Sequence, residues 1–165
     1  MMILQYFPTE KIAIDGIVLN FDEPRQSVRS KLGRNYREDN QIIPLGGDDQ
    51  PIYQRRDIYE NTNASKNYFF LSYNRNDLLS EIEVHNCDKI KIYDIFFDFE
   101  DDLDSIASQL NEYSSMEKKD DGEYFFKELK TVIMDKNKMG GIGTSLGYFY
   151  CTSDVSHHAI GDDSF

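Results

Sequence analysis

Carboxylates are the side chains here with the clearest chemical potential. Asp98, Glu100, Asp101, Asp102 and Asp104 crowd into one short stretch. Such a run could hold a divalent cation through oxygen ligands, but it lacks the glycine and the terminal glutamate of an EF-hand loop. The same residues suit the first turn of a helix, where the dipole favours negative charge. A helix N-terminus is therefore expected, with no metal and no cofactor. His85 stands alone, and the adjacent His157 and His158 would point to opposite faces of a strand. Cys87 and Cys151 show neither C-x-x-C nor zinc spacing. They are expected as buried reduced thiols, not bonded to one another. The run 140–145 lacks the Lys-Ser/Thr of a phosphate loop and reads as a hairpin loop. No nucleophile elbow is present. Arg25, Arg29, Arg34 and Arg37 lie partly on one helix and are expected to pair with local carboxylates. No catalytic set emerges, so the expectation is a protein that is not an enzyme.

Composition narrows the partner. The 165 residues carry a net charge of −12. Residues 1–87 hold 10 basic against 13 acidic side chains, and residues 88–165 hold 8 against 17. Such a field repels nucleic acid and anionic membrane and favours a basic protein partner. With 11 Phe and 11 Tyr, the chain is expected to be sheet-rich and soluble. Residues 1–10 have no basic segment and no long apolar run, so no signal peptide is expected, and no stretch is long enough to span a membrane. A cytoplasmic location follows as an expectation. The sequon-like Asn63, Ala64 and Ser65 is read as chance.

The elements that must position these residues recur. Residues 14–23 return 78 residues later as 92–101, and Ser27, Val28, Ser30 and Leu32 fall on Ser105, Ile106, Ser108 and Leu110. The spacing is too long for a solenoid unit. It predicts an α/β unit used twice, over 1–87 and 88–165, within one compact domain. In the first unit a strand over 11–21 leads to a helix with Asp22 as N-cap, Val28 and Leu32 on its buried face, and Gly33 as C-cap. Residues 34–51 read as a loop, and 52–59, 67–73 and 78–86 as strands. In the second unit 89–97 leads to a helix buried through Leu103, Ile106 and Leu110, and 113–122 reads as a loop. Residues 123–135 read as strand or helix, with strand favoured. Residues 146–151 then match 68–73 at the same offset.

Ile17, Leu19, Phe21, Val28, Leu32 and Gly33 resemble the opening of the BamE/SmpA-OmlA-like repeat. The resemblance covers both repeated openings. It implies a short helical segment followed by an antiparallel sheet. Two such units in tandem are similar to the β-lactamase inhibitor protein architecture. The fold so implied is α+β: two tandem helix-plus-antiparallel-sheet repeats forming one concave domain that presents side chains to a protein.

These readings converge on a cytosolic inhibitor, an immunity protein that occludes the active site of a basic toxin domain, a nuclease being favoured. The alternative is a non-catalytic structural or assembly subunit docking a partner through its sheet. Alternation in the matched strands assigns Phe69, Leu71, Tyr73, Gly147, Phe149 and Cys151 to the core. It turns Tyr68, Phe70 and Ser72, with Leu146, Tyr148 and Tyr150, to the open face. The expected partner-binding residues are Tyr68, Phe70, Tyr148 and Tyr150, rimmed by Asp98, Glu100, Asp101, Asp102, Asp104, Asp120 and Asp121.

Overall fold

A computed structural model describes residues 1–62 and 65–153. Asn63 and Ala64 of the sequon, and the whole tail with His157 and His158, lie outside the described residues. The chain begins with β1 (Ile3–Phe7), β2 (Lys11–Ile14), β3 (Ile17–Asn20) and α1 (Arg25–Leu32). A four-strand meander follows as β4 (Tyr36–Ile43), β5 (Ile52–Glu60), β6 (Tyr68–Tyr73) and β7 (Leu79–Asn86). The second half runs β8 (Lys89–Ile92), β9 (Ile95–Phe97) and α2 (Leu103–Leu110). Its meander is β10 (Met116–Asp120), β11 (Glu123–Phe126), β12 (Thr131–Asp135) and β13 (Leu146–Thr152). The strands form a five-stranded sheet, β3-β2-β1-β8-β9, and an eight-stranded sheet, β10-β11-β12-β13-β7-β6-β5-β4.

The α+β expectation is corrected: half of the described residues are in strands and 11% in helices. The two meanders share one sheet instead of each helix owning its own. Three sequence features hid the strands. The lead-in over 11–21 is a complete hairpin, turned at Asp15 and Gly16, both at positive φ. The segments read as polar loops contain β4 and β10, the two edge strands, whose mostly exposed faces give no apolar alternation. Residues 123–135 are two short strands joined by a turn. Asp22 is not the cap of α1. It sits at φ 70 ahead of Pro24, and α1 has no side-chain cap.

What recurs is an order of elements: hairpin, helix, meander. The meanders meet antiparallel where β13 pairs with β7, Phe149 opposite Val84 and Cys151 opposite Ile82. Each segment before a helix is pinned to the first residue of its last strand. Leu79 N–H donates to Glu23 O, and Leu146 N–H donates to Asp101 O, both at 2.9 Å. Thus β13 holds the place of β7, not of β6 as the sequence match had it. The helices keep the 78-residue offset, while these last strands lie 67 apart.

One core fills the space between the sheets. It takes Leu4, Tyr6, Ile12 and Ile92 from the smaller sheet and Phe69, Leu71, Ile82 and Phe149 from the larger. Val28, Leu32, Ile106 and Leu110 of the helices are buried in it. The Tyr6 hydroxyl crosses between layers to donate to Leu129 O at 2.7 Å. Under α1, Asp57 is fully buried and takes guanidinium hydrogen bonds from both Arg25 and Arg29.

Candidate binding face

The site is built on the face of the eight-stranded sheet that points away from the core. A bulge decides which side chains reach it. Met134 pairs with Tyr148 and Asp135 with Leu146, so Gly147 has no partner. A Cβ at Gly147 would stand 2.9 Å from the Asp135 and Lys136 backbones, so only glycine fits without movement. The extra residue turns Leu146 back into the core, correcting its expected place on the open face. The β6–β7 register shifts in the same way between Ser72 and Tyr73, passing over Ser80, and this turns Leu79 into the core.

Beyond the bulge, alternation puts Phe149 and Cys151 inward and Tyr148 and Tyr150 outward. Glu81, Glu83 and His85 share that outward face. The Tyr148 hydroxyl donates to Glu83 at 2.7 Å, and the Tyr150 hydroxyl donates to Glu81. In the 67-residue correspondence, Glu81 matches Tyr148 and Glu83 matches Tyr150. The two bonds therefore exchange under the approximate two-fold relating the meanders, and the site sits where the halves join. Rings extend the row across the sheet. His85 lies 5.3 Å from Tyr148 and 4.7 Å from Phe70, and Phe70 lies 5.1 Å from Tyr68. The Arg56 guanidinium stacks 4.5 Å above Phe70, 3.9 Å from Glu83, and donates to Asp39 at 2.6 Å.

The electrostatics follow from this crowding. Burial and the neighbouring Glu81 charge raise the Glu83 carboxyl, against the Tyr148 bond and Arg56. Burial, then the Arg56 charge, lowers His85 and favours its neutral form. Burial and the adjacent carboxylates raise both tyrosine hydroxyls, which remain donors at neutral pH. Ile52, Gln54, Glu81, Glu83, Tyr148 and Tyr150 contribute to an open groove of about 300 Å³ between the end of β5 and the sheet face.

The structure brings together Tyr68, Phe70, Tyr148 and Tyr150. Phe70 and Tyr150 are more buried than an open surface implies, at 8% and 4% exposed, because Arg56, Tyr148 and Val132 pack over them. The expected acidic rim divides. Asp98 accepts the Glu100 N–H at 2.8 Å and pairs with Lys89 at 3.3 Å, which holds its carboxyl below the usual range. Asp101 accepts the Asp98 N–H, Asp102 caps α2 by accepting from Ser105, and Asp104 accepts the Tyr124 hydroxyl at 2.6 Å. These four organise the start of α2. Asp120 pairs with Lys138 and Asp121 with Lys118 near the β10–β11 turn. Glu100 alone of the acidic set lines a groove shared with His85, alongside Phe99, Lys136 and Met139.

Sequence reasoning missed Glu81, Glu83 and Arg56 as members of the site. The alternation of 78–86 does put Glu81, Glu83 and His85 on one face, but their tyrosine partners are 65 to 69 residues away. Among the described residues, no group of three or more His, Cys, Asp or Glu is placed to hold a metal ion. No helix among them is long and apolar enough to cross a membrane. No protein-family model, curated protein or solved structure matches the chain.

Proposed function

We propose that this chain is a cytosolic protein-binding inhibitor, an immunity protein that covers the active site of a basic toxin domain, most specifically a nuclease. The groove joining Ile52 to Glu81, Glu83, Tyr148 and Tyr150 carries this reading. Its tyrosines are held by hydrogen bonds before any partner arrives, so little side-chain freedom is lost on binding. Aromatic rings beside carboxylates match an apolar contact flanked by lysine or arginine. The charge of −12 supports fast association with a basic protein.

The test is capture of the partner from the native host, followed by association kinetics across a salt series. Tyr148→Ala is expected to raise the off-rate, while Glu81→Lys with Glu100→Lys slows association and flattens its salt dependence. If both variants stay folded and bind with unchanged kinetics, the reading fails. A second reading, an assembly subunit, is favoured by β4, whose outer edge has no strand partner among the described residues and could accept one from a neighbour. Proline substitution within β4, with Tyr148 intact, would then abolish capture where Tyr148→Ala does not.

A further inference from the structure

The β4–β5 hairpin outgrows its sheet. The last β5–β6 pair is Arg56 with Ser72, so among the described strands Ile52, Tyr53, Gln54 and Arg55 run on paired to β4 alone, with Arg55 still tied to Asp77 at 2.6 Å. That overhang is roughly 13 Å at strand rise, before the loop over 44–51. Its end is apolar. Ile42 is 65% exposed, Leu45 and Ile52 51%, Tyr53 65% and Ile43 36%. Among the described residues these are five of the thirteen large exposed hydrophobics, gathered within twelve residues, so the patch is not scattered surface. Cross-strand partners share a face. Ile43 and Ile52 therefore lie on the Arg56 face, and Ile42 and Tyr53 on the opposite, Asp57 face. The arm is apolar on both sides.

A flat partner would cover one side and leave the other in water. Only a cleft covers both. Charge narrows the owner of the cleft. Residues 38–54 include four carboxylates and no lysine or arginine. Glu38 and Asp39 pair with Arg29 and Arg56, while Asp48 and Asp49 stand exposed at the tip. A second copy would bring acidic tip to acidic molecule, which like-charge repulsion disfavours. We propose that the hairpin tip over 42–53 is a blade that inserts into an apolar cleft of a basic protein, its two faces contacting opposite walls. The proposal rests on the reading of the chain as an inhibitor of a basic partner, and it deepens that reading by naming the inserted element.

The test is photo-crosslinking in the native host with p-benzoylphenylalanine at Ile52, at Tyr53 and, separately, at Tyr148. Support is adducts from both Ile52 and Tyr53 to one basic protein, at peptides on facing walls of a single cleft. Purified with that protein, Ile43→Ser and Tyr53→Ser should each raise the off-rate about tenfold or more, and both positions are exposed enough for the variants to fold. Adducts between two copies, adducts from one face only, or peptides on a flat surface overturn the proposal. So does silence at Ile52 and Tyr53. If Tyr148 still yields an adduct in that case, the inhibitor reading stands without the blade. If only the arm positions crosslink, the blade stands and the Tyr148 wall of the groove falls out of the contact.

Discussion

Replacing Asp57 should unseat α1 from the large sheet. Its carboxylate has no exposed side-chain surface and receives four guanidinium N–H groups. Those from Arg29 lie at 2.7 and 2.8 Å, and those from Arg25 at 2.7 and 3.4 Å. Arg25 is only 4% exposed and Arg29 12%, so neither charge can turn to water when its partner is lost. Breaking a buried pair of this kind costs about 3–5 kcal/mol. At roughly 2–4 °C per kcal/mol for a chain of this size, Asp57→Ala should lower Tm by about 6–20 °C. Glu38→Ala is the control. Its side chain is 54% exposed beside the same arginine, and its loss should cost under about 1 kcal/mol. Burial opposes ionisation of Asp57, yet the bonds and charges of Arg29 and Arg25 outweigh it and hold the carboxyl below its usual range. A lowered carboxyl stabilises fully above the unfolded value, about pH 4, and its contribution disappears as pH falls through the folded value. The wild-type and Asp57→Ala stability curves should therefore converge in acid. Urea unfolding from pH 2 to 7 measures this. A cost below about 1 kcal/mol at pH 7, or a gap that widens in acid, would refute the reasoning.

Leu146→Ala should cost about 2–5 kcal/mol by chemical denaturation, because the bulge turns that side chain fully into the core. A near-neutral result would return Leu146 to the open face and remove the bulge from the account. Cys87 and Cys151 are both free and buried, and burial pushes the Cys87 thiol up to about 12. Both should resist a thiol reagent in the native protein and react together on unfolding, with no disulfide seen by mass spectrometry.

Parts of the site were legible one strand at a time. Alternation put Tyr148 and Tyr150 outward and Phe149 and Cys151 inward, because an outward position repeats every second residue whatever the strand pairs with. The faces of Val28, Leu32, Ile106 and Leu110 were legible for the same reason at helical period. Leu146 was not, since a bulge is a property of two strands and Gly147 shows its purpose only against the Asp135 backbone. The aromatic row over Phe70, His85 and Tyr148 likewise needed β13 to settle beside β7.

The sequence by itself determined the doubled opening, the two buried helix faces, the acidic field and the alternation of the central strands. Each is a short-range pattern or a sum over residues. Tertiary structure alone decided that two meanders fuse into one eight-stranded sheet, that β13 takes the place of β7, and that Tyr148 and Tyr150 meet Glu83 and Glu81. It also decided that β4 and β10 are strands at all. An edge strand carries little apolar signal of its own, and its backbone groups become a strand only when a neighbour offers partners for them.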